Sequence, residues 1–209
     1  MRIGIVGTGR IGANAARLFA KAGHDVVLSF SRDQDKLAAL AAELGGTAGS
    51  PREAVETSEV VLFSVPWRLI DEVLEQTGSL EGRIVIDTTN QFGAGGVEDL
   101  GGRTAAQVNA ARMPGAGYTK AFNTLTSGFQ AESAGRTGPD RAVMFLCGDD
   151  EAAKRVVAGL IDDAGFTPID LGGTADAAPM EAPRRPGAVY GEEVHEDEAR
   201  AFVERLRDQ

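Results

Sequence analysis

The chain opens on MRIGIVGTGRIG, and this stretch limits the fold more than any other. Ile3, Ile5 and Val6 form the short apolar run of a buried parallel strand. Gly7, Gly9 and Gly12 follow in G-x-G-x-x-G spacing, and an alanine-rich helical pattern starts at once. Each glycine has a separate task in such a turn. Gly7 makes the sharp exit from the strand, Gly9 lets a pyrophosphate approach the backbone, and Gly12 lets the helix pack closely on the strand. The helix N-terminus offers free N–H groups and a partial positive charge to the phosphates. A glycine triplet alone is a weak signal. Its place between a strand and a helix points to a dinucleotide site.

The 209 residues suffice for one large domain with a small appendage. A formal net charge of −10 argues against nonspecific binding to nucleic acid or to an anionic membrane. No stretch approaches the ~20 apolar residues of a membrane span, and no apolar signal region follows Arg2. Cys147 is the only cysteine, so no internal disulfide is available; its neighbours (VMFLC) suggest a buried strand end. A cytoplasmic enzyme is expected, with no metal site.

The pattern predicts a doubly wound α/β chain. Helices are expected over 11–22, 34–44, 68–76, 104–111 and 151–164, with a further helix starting at Asn123-Thr124. Strands are expected over 25–30, 47–49, 59–65, 83–87, 119–122, 142–147 and 167–171, about eight with the first. Ser50-Pro51-Arg52-Glu53 reads as a capping box. The five glycines of 91–102 make a flexible or tightly turning loop. After Gly173 the composition changes. Residues 174–192 look like a strap over the domain surface or a dimer contact, and 193–206 like a charged helix. The expected division is a 1–173 Rossmann-type domain and a 174–209 strap and helix.

Cofactor choice turns on the end of the second strand. An NAD site usually has Asp or Glu there to accept from the ribose 2′-hydroxyl. This chain has Ser31 and Arg32, with Lys36 one turn later. A hydroxyl and a guanidinium suit a 2′-phosphate, so NADP is favoured over NAD. Asp33 and Asp35 read as helix-starting residues. Ligands of such sheets sit at the carboxyl ends of the strands. That places Ser64, Val65, Pro66 and Trp67 near the cofactor, with Trp67 either flanking the adenine or packing on the domain. Thr88, Thr89 and Asn90 end the next strand and suit the nicotinamide half or the substrate.

These motifs together resemble the F420-dependent NADP oxidoreductases, whose relatives include the reductase domains of membrane ferric reductases. The matching stretches are GIVGTGRIG, SFSRD, LFSVPW, KAFNT, MFLCGDDEAAKRVV and PIDLGG, from residue 3 to about 173. The resemblance implies a single Rossmann-type domain, bound NADP and hydride exchange with F420 or a flavin as second substrate. It implies that Thr8, Arg10 and Ile11 line the pyrophosphate loop and that Ser31 and Arg32 hold the 2′-phosphate. It further implies that Val65, Pro66 and Trp67 wall the cofactor and that Phe122 and Asn123 approach the nicotinamide. The chain departs from the archaeal F420 users, whose C-terminal segment is more apolar than MEAPRRPGAVYGEEVHEDEARAF.

Hydride transfer between two cofactors needs no protein nucleophile, which agrees with the scarcity of acids and bases. His24 sits in a helix-to-strand turn, His195 in the charged tail, and Asp87 at a strand end where it can bond the following loop. Two other classes remain open. One is a reductase of a small carbonyl, imine or hydroxyacid, which needs a proton donor such as Tyr118 or Lys120, two residues on one strand face. The other is an NADPH-binding sensor without turnover.

Overall fold

The computed structural model describes residues 1–208. The order of elements is β1 (Arg2–Val6), α1 (Arg10–Lys21), β2 (Asp25–Ser29), α2 (Gln34–Leu44), β3 (Thr47–Ala48), α3 (Pro51–Glu56) and β4 (Val60–Phe63). Next come α4 (Ile70–Thr77), β5 (Ile84–Asp87), the hairpin β6 (Phe92–Gly93) and β7 (Gly96–Val97), α5 (Ala105–Arg112) and β8 (Gly117–Ala121). Then follow α6 (Ser127–Ser133), β9 (Val143–Gly148), α7 (Glu151–Asp163), β10 (Thr167–Asp170) and α8 (Glu196–Arg207).

Eight strands form one sheet in the order β10-β9-β8-β5-β4-β1-β2-β3. Six of them, β1 to β5 and β8, are parallel. The β8–β9 pair is antiparallel, so β9 and β10 run the other way. Alternation along the strands divides the interior into two cores. Ile3, Ile5, Val60 and Leu62 face α1, α2, α6 and α7. Val6, Val61 and Phe63 face α3, α4, α5 and α8. The chain has the doubly wound architecture of Rossmann-type proteins, with ligand sites expected where strand order reverses between β1 and β4. No helix among the described residues is long and apolar enough to cross a membrane.

The element ends depart from expectation at a few places, each with a local cause. β4 stops at Phe63: Ser64 N–H makes a last bond to Val6 O, and the chain then turns at Pro66. The helix expected from Asn123 starts instead at Ser127, capped by the Thr126 hydroxyl. The glycine-rich loop carries the small hairpin β6–β7. The strap is more regular than its prolines suggested, with a 3-10 helix at Thr174–Met180. The terminal helix begins at Glu196, three residues later than expected.

The strap is bound to its own chain. Glu181 is 2% exposed and caps α5, accepting from Ala105 and Ala106 N–H at 2.7 and 2.8 Å. Thr104 Oγ1 donates to Thr174 O at 2.7 Å, and Phe202 of α8 packs edge-on against Phe145. Gln209, the last residue of the expected second unit, lies outside the described residues.

Cys147 is fully buried near the end of β9, as its apolar neighbours suggested. Burial pushes its thiol up to about 12 from the ordinary 9.0. The folded thiol therefore keeps its proton where an unfolded one loses it. This raised value stabilises the fold fully below pH 9, and the contribution is lost as pH rises from 9 towards 12, up to about 4 kcal/mol. Urea midpoints should fall between pH 9 and pH 11, and Cys147→Ala should remove a large part of that fall. At pH 8 a disulfide reagent such as DTNB should label the denatured chain and spare the native one.

Candidate cofactor and hydride-transfer site

The glycine turn has the geometry its spacing predicts. Gly7 adopts φ +104°, which only glycine takes without strain, and its N–H bonds Ser29 O at 3.0 Å. A Cβ there would lie 2.1 Å from Ser64 O. A Cβ on Gly12 would lie 1.9 Å from Gly7 O, so α1 packs on the strand only because Gly12 has no side chain. Gly9 is different: a Cβ there meets nothing within 4 Å, and the space in front of it is open. Gly9 is also the N-cap of α1, with no side-chain cap and no acidic residue in the first turn. By contrast, α2, α3, α5, α6 and α7 are all capped by side chains. The free N–H groups of α1 and the open face of Gly9 fit a pyrophosphate. Arg10 is exposed beside them, while Ile11 is half-buried and packs on the core below.

The second group lies after β2. Thr8, Ser31 and Lys36 line one depression of about 330 Å³, together with Arg17. Asp33 caps α2, accepting from Lys36 N–H at 3.1 Å, and that bond with the Lys36 ammonium holds its carboxyl below the usual value. Ser31 Oγ bonds both the N–H and the carbonyl of Asp33, which folds the turn. Arg32 is exposed and has no carboxylate partner among the described residues. Phe30, just before Ser31, has φ 56°. Left-handed backbone at a non-glycine residue costs on the order of 1–3 kcal/mol and gathers at ligand sites.

Ser64, Val65 and Pro66 form the turn after β4, directly beside Gly7. Trp67 is turned into the domain. It is 6% exposed, its indole N–H donates to Glu98 Oε2 at 2.8 Å, and Arg112 lies 5.0 Å over its ring. Of the two roles open to it, packing on the domain is the one the fold uses.

Phe122 needs a similar correction. It has φ 59° and no exposed surface, and its ring sits edge-on to Phe19 and Phe166 in the core. Its carbonyl accepts from Gln130 Nε2 at 3.1 Å. Its side chain therefore anchors the turn after β8 and has no face for a nicotinamide. Asn123, next in the chain, pairs with Asn90: Asn90 Nδ2 donates to Asn123 O at 3.0 Å, and Asn123 Nδ2 donates to Asn90 Oδ1 at 3.2 Å. The two strand ends that were expected to share the nicotinamide region are thus tied together. Met180 O of the strap accepts from the same Asn123 amide at 2.6 Å, while Asn123 Oδ1 is buried without a partner.

Beneath this pair lies a cluster that sequence reasoning saw only as separate residues. Asp87, Lys120 and Tyr118 are all buried. Asp87 Oδ2 accepts from Tyr118 OH at 2.6 Å, Asn109 Nδ2 at 2.9 Å and Lys120 Nζ at 3.1 Å. Asp87 Oδ1 accepts from Thr89 N–H at 2.8 Å. Lys120 also donates to Thr89 O at 2.6 Å, and Asn109 to Thr89 Oγ1 at 3.0 Å. All three polar groups of Thr89 are therefore held. Burial alone would raise Asp87, but the Lys120 charge and three hydrogen bonds outweigh it and keep the carboxyl below its ordinary value. Burial and the Asp87 carboxylate push the Tyr118 phenol well up. Thr88 is buried in the same turn, its N–H bonded to Phe63 O.

The two histidines lie outside this region. His24 Nε2 sits 3.0 Å from Asp163 and its ring is edge-on to Phe19. His195 precedes α8 with its side chain 39% exposed. Asp149 and Asp150 of the CGDD stretch are structural as well: Asp150 caps α7, and Asp149 holds Thr174.

A mostly parallel sheet with an uncapped glycine turn at its topological switch is the Rossmann-type arrangement that suits a dinucleotide. Residues 2–91 match the family described as NADP oxidoreductase, coenzyme F420-dependent. It is 31% identical to a hypothetical protein, SMa0349, of Sinorhizobium meliloti, with a TM-score of 0.80 over 94% of this chain and 95% of that one. A candidate F420-dependent NADP reductase of Arthrobacter sp. FB24 shares the fold, at 24% identity and a TM-score of 0.71 over 84% and 86% of the two chains. Metalloreductase STEAP3 of Rattus norvegicus is 29% identical over 181 residues, 87% of this chain. The chain spans only 36% of that relative's length.

Proposed function

We propose that the protein is a cytoplasmic oxidoreductase that passes a hydride between NADPH and a planar acceptor such as F420 or a flavin. The bound nicotinamide cofactor supplies the hydride. The protein's share is to bind and orient. The N–H groups at the start of α1 and the open face of Gly9 take the pyrophosphate, and Ser31, Arg32 and Lys36 surround the 2′-phosphate. The loop from Thr88 to Asn90, with Asn123, borders the nicotinamide half.

The observation that carries the planar-acceptor reading is the state of Tyr118 and Lys120. They are the two proton donors a carbonyl or imine reductase would call on, and both are buried and turned to Asp87. An acceptor whose own ring takes the hydride needs neither.

NADPH oxidation should be followed with F420, FMN and FAD in turn. Turnover with one of them supports the reading. NADPH binding with no turnover on any would favour a sensor instead. Arg32→Ala should raise the KM for NADPH about 10- to 150-fold, the worth of 1.5–3 kcal/mol in charged hydrogen bonds, and change that for NADH little. Equal losses for both nucleotides would sink the 2′-phosphate assignment.

A further inference from the structure

Helix α5 carries its own cap. Thr104 Oγ1 accepts from Gln107 N–H, and the Gln107 side chain accepts from Thr104 N–H in return. That reciprocal pair leaves the Ala105 and Ala106 N–H groups unserved. Glu181 of the strap takes both, one with each carboxylate oxygen, at 2.7 and 2.8 Å. Its charge lies at the positive end of the helix. Attachment at two points fixes the strap backbone at residue 181 in direction as well as in position.

The neighbours of Glu181 hold the candidate hydride site. Met180 O accepts from Asn123 Nδ2 at 2.6 Å, and Ala182 O from Gln91 Nε2 at 2.7 Å. Ala182 N–H donates to Asn90 Oδ1 at 3.3 Å. Gln91 Oε1 and Asn123 Oδ1 are buried without partners. The bond to Ala182 O is thus what aims the Gln91 amide, and Asn123 is aimed through its nitrogen, shared between Met180 O and Asn90 Oδ1.

These ties close into a ring. Asn109, one turn into α5, donates to Asp87 Oδ2 and Thr89 Oγ1. The segment after β5 is therefore bonded to α5 at residues 87 and 89, and to the strap at residues 90 and 91. Glu181 joins α5 to the strap and completes the circuit.

We propose that Glu181 is a positioning residue for hydride transfer. By locking residues 180–182 to α5, it sets Asn90, Gln91 and Asn123 at the nicotinamide half of the site. This rests on the hydride-transfer reading above and adds a residue from the C-terminal strap, which acts through its neighbours' backbone groups. A misplacement on the order of 1 Å at a distance from the chemistry can cost about 100-fold in rate.

Glu181→Gln keeps the size of the side chain but leaves one acceptor for two N–H groups. With whichever of F420, FMN or FAD sustains NADPH oxidation, its kcat should fall at least about tenfold. Its Kd for 2′,5′-ADP, which probes the adenosine half alone, should stay within about twofold of the wild type. Glu181→Asp, which keeps both oxygens, should recover part of the lost kcat. Asp149→Ala is the control for a merely structural role. Asp149 also accepts two bonds from the strap, from Thr174 N–H and Oγ1 at 2.8 and 2.7 Å, but away from residues 180–182. That variant should loosen the fold and leave kcat within about twofold of the wild type. Amide hydrogen exchange of the whole chain, read by mass spectrometry, needs no acceptor. Glu181→Gln should speed exchange over residues 88–91 and spare residues 7–13, while Asp149→Ala should spare both. A wild-type kcat in Glu181→Gln, an equal loss in Asp149→Ala, an equal loss of 2′,5′-ADP affinity, or unchanged exchange over 88–91 would overturn the positioning role. Faster exchange over 88–91 in Glu181→Gln alone, with no acceptor turned over by the wild type, would uphold the strap's hold on the loop and overturn the hydride-transfer reading.

Discussion

Replacing Lys120 with methionine is expected to cost about 3–5 kcal/mol of folding stability, a large share of the ~5–15 kcal/mol available to a domain. Lys120 and Asp87 are both fully buried and 3.1 Å apart. Without the ammonium, Asp87 is left ionised in the interior with only neutral donors, Tyr118, Asn109 and Thr89 N–H. Asp87→Asn is expected to be comparably severe, because it strands the Lys120 charge. The double variant Asp87→Asn/Lys120→Met should be more stable than either single one, since no unpaired buried charge remains. Urea denaturation at pH 7 measures all four proteins. A single-variant cost below about 1 kcal/mol would show that water reaches the pair.

The same cluster predicts a stability plateau. Asp87 titrates below its ordinary 3.8 in the fold, so its contribution is present above that value and is lost as pH falls below it. Tyr118 titrates above its ordinary 10.0, so its contribution is present below pH 10 and is lost as pH rises beyond it.

Gly12→Val is expected to abolish dinucleotide binding. Its Cβ would fall 1.9 Å from Gly7 O, a backbone atom that cannot swing aside. Helix α1 must then lift from the sheet, which carries its phosphate-binding N–H groups out of place. NADPH affinity should fall at least about 100-fold, and overpacking should cost a further 1–3 kcal/mol of stability. Gly9→Ala supplies the contrast. The space at Gly9 is open and its φ of −68° suits any residue, so stability should change by less than about 1 kcal/mol. NADPH should nonetheless bind more weakly, because the methyl group occupies the approach of the phosphates. A Gly12→Val protein with unchanged NADPH affinity would remove the glycine turn from the site.

The elements were legible because each depends on neighbours in the chain. The strand-turn-helix at 1–22 follows from period and glycine spacing, the caps at Asp33, Ser50 and Asp150 from short polar side chains three residues before free N–H groups. Side-chain direction was not legible in the same way. Trp67 and Phe122 stand in motifs that were expected to border the ligand, yet both side chains turn into the core. For Phe122 the cause is a left-handed φ at the strand end, which local composition does not announce.

The opening stretch by itself determined the class of site: a buried strand, a glycine turn and an uncapped helix must present backbone N–H groups to an anion, whatever surrounds them. Ser31 and Arg32 added the expectation of a 2′-phosphate through their position alone. Only the tertiary structure decided how the far half of the site is held. Asp87 comes from β5, Asn109 from α5, and Tyr118 and Lys120 from β8. Their convergence on Thr89 depends on the parallel register that sets Asp87 beside Lys120. The strap, too, meets Asn123 and Gln91 only in three dimensions, through carbonyls at Met180 and Ala182 that any residue could have offered.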